Sequence, residues 1–300
     1  MYAITGATGN TGSVIAEKLL ARGEKVRVIG RDATRLAPLV SKGAEPFVAD
    51  VTDAAGLAKA FAGATAVYAM VPPNLAAPDA RAYQEQVSDS LVAALRQAAV
   101  RKAVVLSSFG AEKTEKTGPV LSLHNLEQKL DGIPTLDAVY LRAGYFMENL
   151  LPQVGVIQTF GMMGGPLRAD LRLPMIATRD IGAVAAELLL KPDFTGKQAR
   201  ELLGQRDVSY AELAPIVSQA IGKPGLMYMQ LPPEQLKPAF IQMGMSASMA
   251  DLILEMSEAL NSGYMAPLEP RSERNSTPTS IETFVAEVFA PRFQGKSASA

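Results

Sequence analysis

The 300-residue chain has no cysteine and a single histidine, His124. Without cysteine there is no disulfide framework, thiolate nucleophile, iron–sulfur cluster or cysteine-based zinc site. One imidazole cannot form a paired-histidine motif, and no metal site is expected. An excess of charge of one sign is also lacking, since 29 basic and 30 acidic side chains leave a formal net charge of −1. The global electrostatic footprint of a nucleic-acid-binding protein is therefore missing. No segment approaches the roughly eighteen consecutive apolar residues of a membrane span. The chain starts from Met1 into a short apolar segment and then glycines, without the basic stretch, long apolar region or cleavage site of a signal peptide. These absences predict a soluble, cytoplasmic protein with no nucleic-acid or membrane partner. Apolar material is ample, at 48% hydrophobic against 20% charged residues, so the chain should fold, as one large domain or two ordinary ones.

Tyr2-Ala3-Ile4-Thr5 is a short apolar run, followed by Gly6-Ala7-Thr8-Gly9-Asn10-Thr11-Gly12 and an amphipathic segment from Ser13 to Arg22. The order is strand, glycine turn, helix. Gly6, Gly9 and Gly12 suit a tight turn, a close backbone approach to a pyrophosphate and a helix packed near the strand. Amides at the helix N-terminus, with Thr8, Asn10 and Thr11 in the turn, then face phosphate charge. An ordinary strand-to-helix turn uses the same glycines, but Gly23 ends the helix and Lys25 to Ile29 supplies a second strand at the expected distance, which favours nucleotide binding.

Cofactor choice is written just after that second strand, where an acid binds the ribose diol of NAD and an arginine accepts the 2′-phosphate of NADP. Gly30 stands where the acid is expected and Arg31 follows it, which favours NADP(H) over NAD(H). Arg31 as a solvated loop residue is the plainer alternative. Asp32, ahead of Ala33-Thr34-Arg35-Leu36, reads as the N-cap of the next helix.

The alternation continues with strands over Pro46–Ala49, Thr65–Val71 and Lys102–Leu106, and helices over Ala54–Phe61 and Ala80–Ala99. Strands alternating with helices imply right-handed crossovers and a Rossmann-type, doubly wound parallel α/β sheet. Ligands on such sheets lie beyond the carboxyl ends of the strands. Asp50, Met70, Val71, Pro72, Ser107 and Ser108 all fall at such ends, where a polar strand terminus without function is the competing reading.

Thr5-Gly-Ala-Thr-Gly-Asn-Thr-Gly12 resembles the dinucleotide signature of extended and atypical short-chain dehydrogenases/reductases. Leu141-Arg-Ala-Gly-Tyr-Phe-Met-Glu-Asn-Leu150 is similar to the NmrA-like branch, which includes NADPH-dependent quinone reductases, azo- and triphenylmethane-dye reductases and redox-sensing regulators. Asp50-Val51, His124-x-x-Glu127, Thr178-Arg-Asp-Ile-Gly182 and Thr277-Pro-Thr-Ser-Ile281 are supporting matches. The resemblance implies an NADP-binding Rossmann domain over residues 1–153, a strand and helix returning to it from 170–205, and a smaller α+β substrate lobe over 154–300. It further implies that Asp50 and Val51 flank the adenine, that Met70 to Pro73 run along the cofactor, and that Gly144, Tyr145 and Phe146 lie near the nicotinamide.

One departure bears on chemistry. Short-chain dehydrogenases use Tyr-x-x-x-Lys, whose lysine lowers the tyrosine pKa so that it exchanges a proton with the substrate oxygen. None of the 8 tyrosines has a lysine four positions on. The candidates for contact with an acceptor are His124, on a predicted helix Leu121–Leu130, and Tyr145, after a sixth strand Ala138–Leu141. Glu127, on the same helix face, would orient the imidazole or form an ordinary surface pair. A structural histidine and a core tyrosine are the competing readings. Quinone and dye reduction suits sparse acid–base equipment, because these acceptors form anions that water protonates. Two functions follow: an NADPH-dependent oxidoreductase for a small aromatic or quinone-like substrate, or a non-catalytic NADP(H) sensor with a regulatory protein partner. A homodimer is compatible with either.

In the C-terminal half, Gly161–Pro166 reads as a loop, Leu173–Ala177 and Met227–Leu231 as extended, and Arg179–Leu190 and Ala250–Leu260 as helices. Ser209-Tyr-Ala-Glu212 is a capping box for a helix to Ile221, and Pro232-Pro-Glu234 starts another. Methionines crowd this half, as core filling or as an adaptable pocket lining. The tail from Gln294 to Ala300 is small and polar and is expected to fray.

Overall fold

The computed structural model describes residues 1–295; of the polar tail, Gln294 and Gly295 form a turn and the rest lies outside the described residues. The chain opens with β1 (Tyr2–Ile4), α1 (Asn10–Ala21), β2 (Val26–Gly30), α2 (Ala33–Val40), β3 (Glu45–Val48), α3 (Ala54–Phe61), β4 (Ala66–Ala69), α4 (Ala80–Gln97) and β5 (Lys102–Ser108). It continues with α5 (Leu121–Asp131), β6 (Asp137–Ala143), β7 (Tyr145–Phe146), α6 (Gln153–Phe160), β8 (Met163–Gly165), β9 (Leu173–Ile176), α7 (Thr178–Leu190) and β10 (Lys197–Leu202). The remainder comprises β11 (Asp207–Val208), α8 (Tyr210–Ile221), β12 (Tyr228–Gln230), α9 (Pro233–Gln242), α10 (Ala247–Asn261), α11 (Ile281–Phe284), a π-helical turn Val285–Phe289, and α12 (Ala290–Phe293).

Seven strands form one sheet in the order β10-β6-β5-β4-β1-β2-β3, with every pairing parallel. Side chains on a strand alternate between faces, and both faces of this sheet are covered. Tyr2 and Ile4 enter a core shared with Ile15 and Leu19 of α1, Leu36 of α2 and Ile181 of α7. Ala3 points the other way, into a core with Phe61 of α3, Leu91 of α4 and Leu130 of α5. Continuous apolar runs such as Ala66-Val67-Tyr68-Ala69, buried throughout, are what a sheet covered on both sides requires.

Several helix starts follow from single side chains. Asp32 accepts the Thr34 N–H at 2.8 Å, Asp53 the Gly56 N–H at 3.0 Å and Asp79 the Ala82 N–H at 2.9 Å. Each satisfies an amide that the first helical turn leaves unpaired. Ser209 and Glu212 form the expected reciprocal box, with bonds of 3.0 and 3.2 Å. Helix α1 differs from its sequence reading by starting at Asn10, inside the glycine turn.

The chain beyond β7 contributes to the main sheet and also builds a separate core. Strand β10 pairs with β6 at the sheet edge, and α7 lies against α1. Gly182 makes that contact possible: a Cβ there would stand 2.8 Å from Val14 Cβ and 3.0 Å from the Thr11 carbonyl oxygen. Strands β7, β9 and β11 form a small mixed sheet, and Leu173 of β9 shares a core with Met147, Leu213 and Phe284. Residues Gly161–Pro166, expected as a loop, contain β8, which pairs in parallel with β12. Gly164 and Gly165 allow the approach, since Cβ atoms there would lie 3.2 Å from Leu231 and 3.1 Å from Tyr228. The Thr277–Ile281 motif ties the last helices to α7: Thr279 donates its N–H and hydroxyl to Asp180 at 2.9 and 2.7 Å, and Ser280 caps α11. Among the described residues, no helix is long and apolar enough to cross a membrane.

Gly182→Val should lower unfolding free energy by roughly 1–3 kcal/mol, the usual cost of overpacking a close-packed contact, measured by urea denaturation. Wild-type stability in this variant would mean that α1 and α7 do not need their close approach.

Candidate active site

A cleft of about 940 Å³ runs along the carboxyl ends of the strands. Its centre is the glycine turn. Gly6 has a left-handed φ of +60°, and its carbonyl accepts the Gly9 N–H at 2.9 Å. Gly9 is the N-cap of α1 and has no side-chain cap, so the first amides of the helix open toward the cleft. Gly12 lies behind the turn, where a Cβ would fall 2.3 Å from the Gly6 carbonyl oxygen. The turn is braced from the adjacent strand: Tyr68 donates its hydroxyl to Thr11 Oγ1 at 2.9 Å. Thr5 Oγ1 donates to the Tyr68 carbonyl at 3.1 Å and accepts the Met70 N–H at 3.2 Å. Burial drives the Tyr68 hydroxyl pKa well above its ordinary value, so it stays a neutral donor.

On the β2–β3 side the lining comprises Ile29, Gly30, Arg31, Asp32, Arg35, Ala49 and Val51. The acids of this region are already engaged. Asp32 caps α2, and Asp50 turns into its own loop, accepting the Thr52 N–H at 2.9 Å and hydroxyl at 2.7 Å. Partial burial opposes ionisation of Asp50, but the Thr52 bonds and the charge of Arg31 outweigh it and hold the carboxyl below its usual range. Gly30 faces Leu36 so closely that a Cβ would lie 3.2 Å from Leu36 Cδ2. Gly30 itself offers no carboxylate to a ribose diol, and the charged residues lining that end are Arg31, Arg35 and the helix-capping Asp32.

On the β4–β6 side the lining is Met70, Pro72, Pro73, Leu75, Leu106, Phe146, Glu148, Asn149, Leu151 and Thr178. Glu148 accepts the Thr178 N–H with both oxygens, at 3.0 and 3.1 Å, and the Thr178 hydroxyl as well, which caps α7. Burial raises its carboxyl pKa, with the Thr178 bonds and nearby Arg179 opposing the rise. The Leu75 carbonyl accepts the Ser246 N–H at 2.8 Å, and Ser248 Oγ accepts the Ala80 N–H at 3.0 Å. Helix α10 therefore holds the loop that forms one lip of the cleft.

Of the residues singled out from sequence, Gly6, Thr8, Gly9, Asn10, Thr11, Arg31, Val51, Met70, Pro72 and Phe146 line this cleft. Gly12, Asp50, Val71, Ser107, Ser108, Gly144, Tyr145 and His124 do not. Gly144 is a packing glycine, whose Cβ would meet the Pro174 carbonyl oxygen at 2.3 Å. Ser107 donates to Glu127 at 2.6 Å, and Ser108 to the Phe109 carbonyl at 3.0 Å. Val71 packs against the core of α3 and α4. The His124 Nδ1 lies 2.8 Å from the Ala111 carbonyl oxygen. Glu127 does not orient His124: it is buried and binds Arg142 of β6 through two bonds, at 3.1 and 2.6 Å. Tyr145 is half-buried beside Tyr210 and Asn149, against the core of the C-terminal half. Arg35, Leu75, Leu106, Glu148, Asn149, Leu151 and Thr178 were not anticipated as lining. Glu148 and Asn149 do belong to the Leu141–Leu150 block that carries the family resemblance, and Thr178 opens one of its supporting matches.

A parallel α/β sheet with a glycine turn at its switch point and a cleft across its carboxyl edge defines a Rossmann-type dinucleotide fold. The model of the NmrA-like family matches residues 2–285, and the chain belongs to that family of atypical short-chain dehydrogenases/reductases. It is 29% identical over 268 residues to an NAD(P)H azoreductase of Xenophilus azovorans, covering 89% of each chain. It is 24% identical over 267 residues to quinone oxidoreductase 2 of Escherichia coli, covering 88% of this chain and 89% of that one. Among solved structures, the NADPH complex of the Escherichia coli quinone oxidoreductase superposes with a TM-score of 0.79 at 22% identity, covering 96% of this chain and all of that one (100%). Triphenylmethane reductase of Citrobacter sp. with NADP(H) gives 0.79 at 20% identity, covering 95% and 99%.

His124→Ala should leave turnover unchanged and lower stability by roughly 0.5–1.5 kcal/mol, the net worth of one hydrogen bond. Thermal unfolding and initial rates on the same preparation check this, and a large fall in turnover at wild-type stability would place the imidazole in the chemistry.

Proposed function

We propose that the protein is an NADPH-dependent reductase that delivers hydride to a quinone or related conjugated aromatic acceptor, such as an azo compound. The observation that carries this reading is the division of one cleft into a glycine cradle, an arginine-lined end with its acids engaged, and an apolar end carrying Phe146 and Asn149. The azoreductase and quinone reductase relatives support it.

The residues present fit a phosphorylated dinucleotide. The turn at Gly6, Gly9 and Gly12 suits a pyrophosphate because the N-terminus of α1 has no side-chain cap at Gly9, and side chains at Gly6 and Gly12 would break the turn by meeting Met70 Sδ at 2.8 Å and the Gly6 carbonyl at 2.3 Å. Arg31 would hold the 2′-phosphate, a planar donor fork suited to that anion. Ala49 and Val51 would offer an apolar seat to the adenine. Bound in this way, the cofactor supplies a hydride to whatever lies at the apolar end. The chain's part there is positioning: Phe146, Leu106 and Leu151 exclude water and set a flat ring, and Asn149 offers an amide to a polar substituent. No tyrosine–lysine relay is present to deliver a proton, so the reduced acceptor takes its proton from water.

The missing relay also favours a second reading, a non-catalytic NADP(H)-sensing protein that changes partners with the redox ratio. Steady-state oxidation of NADPH with a panel of quinones and azo dyes separates the two. Acceptor-dependent turnover is expected, and NADPH binding at micromolar level with no acceleration by any acceptor would overturn the reductase reading. Arg31→Ala should weaken NADPH binding about tenfold or more, the worth of a charge-assisted hydrogen bond, and change NADH binding little. Equal losses for both, by fluorescence titration, would remove the 2′-phosphate role.

A further inference from the structure

The free N–H and C=O groups of an edge strand invite pairing with another strand, and natural sheets guard their edges with charge, proline or a covering segment. Both edges of the main sheet follow this rule. Strand β3 carries Glu45 and Pro46, and β10 carries Lys197, Arg200 and Glu201, with Arg200 donating to the Arg274 carbonyl at 2.9 Å. Strand β12 is unguarded. It belongs to a sheet of two strands, and no charged residue occurs from Gly225 to Pro233. Its bonds to β8 come from alternate residues: the Met163 N–H donates to the Met227 carbonyl and the Leu231 N–H to the Gly165 carbonyl, each at 2.9 Å, with Met229 opposite Gly164. Tyr228 and Gln230 therefore turn their backbone groups to the free edge, where these have no bond partner among the described residues. On one face of the strand, Met227 and Met229 are 72% and 53% exposed.

We infer that this edge binds a second copy of the chain, β12 against β12 in antiparallel register about a two-fold axis at Met229, which joins the two small sheets into one. A contact of this symmetry has to complement itself, and β12 does. Tyr228 exchanges N–H···O bonds with the partner's Gln230, and the two-fold repeats the exchange, so the free backbone groups of both residues are satisfied. A two-fold normal to the sheet keeps like faces together. Met229 then meets the partner's Met229 and Met227 the partner's Leu231, in one apolar row. The flanking charges match as well. Lys223 precedes the strand, with its ammonium 5.4 Å from the centre of the Phe293 ring and no ion-pair partner among the described residues. Glu234 follows the strand, and the neighbouring Lys237 is already held by Asp251 at 2.6 Å. Lys223 and Glu234 are both exposed. Antiparallel pairing carries each Lys223 toward the partner's Glu234, whereas parallel pairing would bring like charges together. So short a ladder predicts weak, micromolar association. Neither the strand nor its flanking charges line the dinucleotide cleft, and the inference stands apart from the reductase reading.

Sedimentation equilibrium of the full chain, from low micromolar to near-millimolar concentration, tests this. The wild type should pass from monomer to dimer. Gln230→Pro removes an N–H that points away from β8, so the pairing with β8 is kept while dimerisation should weaken about tenfold or more. Met229→Lys changes an exposed side chain and sets two like charges at the axis; it should weaken the dimer too, less so at high salt, and it keeps the test decisive if the proline variant folds poorly by circular dichroism. Lys223→Glu and Glu234→Lys should each weaken the dimer several-fold, and the double exchange should restore it. A wild type that stays monomeric throughout overturns the inference, as does a dimer that neither Gln230→Pro nor Met229→Lys weakens, which would place the contact on another face. A loss that the double exchange does not recover overturns the antiparallel arrangement.

Discussion

A close approach of backbones around the N-terminus of α1 is the constraint on which the rest of the site depends. The Gly6 carbonyl and Gly12 Cα stand so near that a single methyl at Gly12 would overlap the carbonyl, and Gly182 of α7 meets the same helix from outside at Val14 and the Thr11 carbonyl. These contacts press α1 against β1 on one side and receive α7 on the other. The helix N-terminus is thereby held where its free amides open into the cleft, a favourable environment for phosphate charge. The buried bond from Tyr68 to Thr11 and the two bonds of Thr5 then fix β4 to the same turn. Packing and chemistry are therefore joined: residues that never reach a ligand decide where the amides point.

The charge pattern follows from how local bonds engage the acids. Asp32 and Asp50 both stand near the end of the cleft that carries Arg31 and Arg35, yet one caps a helix and the other closes a turn. A carboxylate held by backbone amides has reduced capacity for a ribose diol, because its lone pairs are already engaged. Leu36, pressed against Gly30, makes an acidic side chain at Gly30 sterically unwelcome. The surroundings of Arg31 are thus set by packing between β2 and α2 as much as by the residue itself.

Sequence was most legible where a short-range rule decides the outcome. The Asp32 cap, the Ser209–Glu212 box and the apolar strands at β1 and β4 are local patterns, and each appears in the structure as expected. The glycine turn was equally readable, because its spacing encodes a shape. Longer-range pairings were not. Strand β8 carries two glycines and no apolar periodicity, and it is a strand only because β12 lies alongside it. Glu127 looked like a neighbour of His124 because both sit on one face of α5, yet its partner is Arg142 on β6, a cross-sheet contact that helix spacing does not reveal. Arg35 escaped notice because its distance from Arg31 on the cleft wall depends on where α2 begins, and that is set by the Asp32 cap.

Glu148 shows how the two halves of the chain share one wall. It follows β7 at the start of the C-terminal core, and its carboxylate holds the first amide of α7, the helix that packs on α1. The α7 dipole favours a negative charge at that point, whereas burial in the cleft wall disfavours it. The balance leaves an acid whose pKa is raised although it accepts hydrogen bonds from Thr178. A group in that position cannot be exchanged for an apolar one without leaving the amide of Thr178 unpaired, so this carboxylate on the cleft wall is first a structural requirement of α7. The C-terminal lobe is therefore fastened to the dinucleotide fold through a side chain of the cleft wall itself, so a change that frees Glu148 also loosens the helix packed on α1.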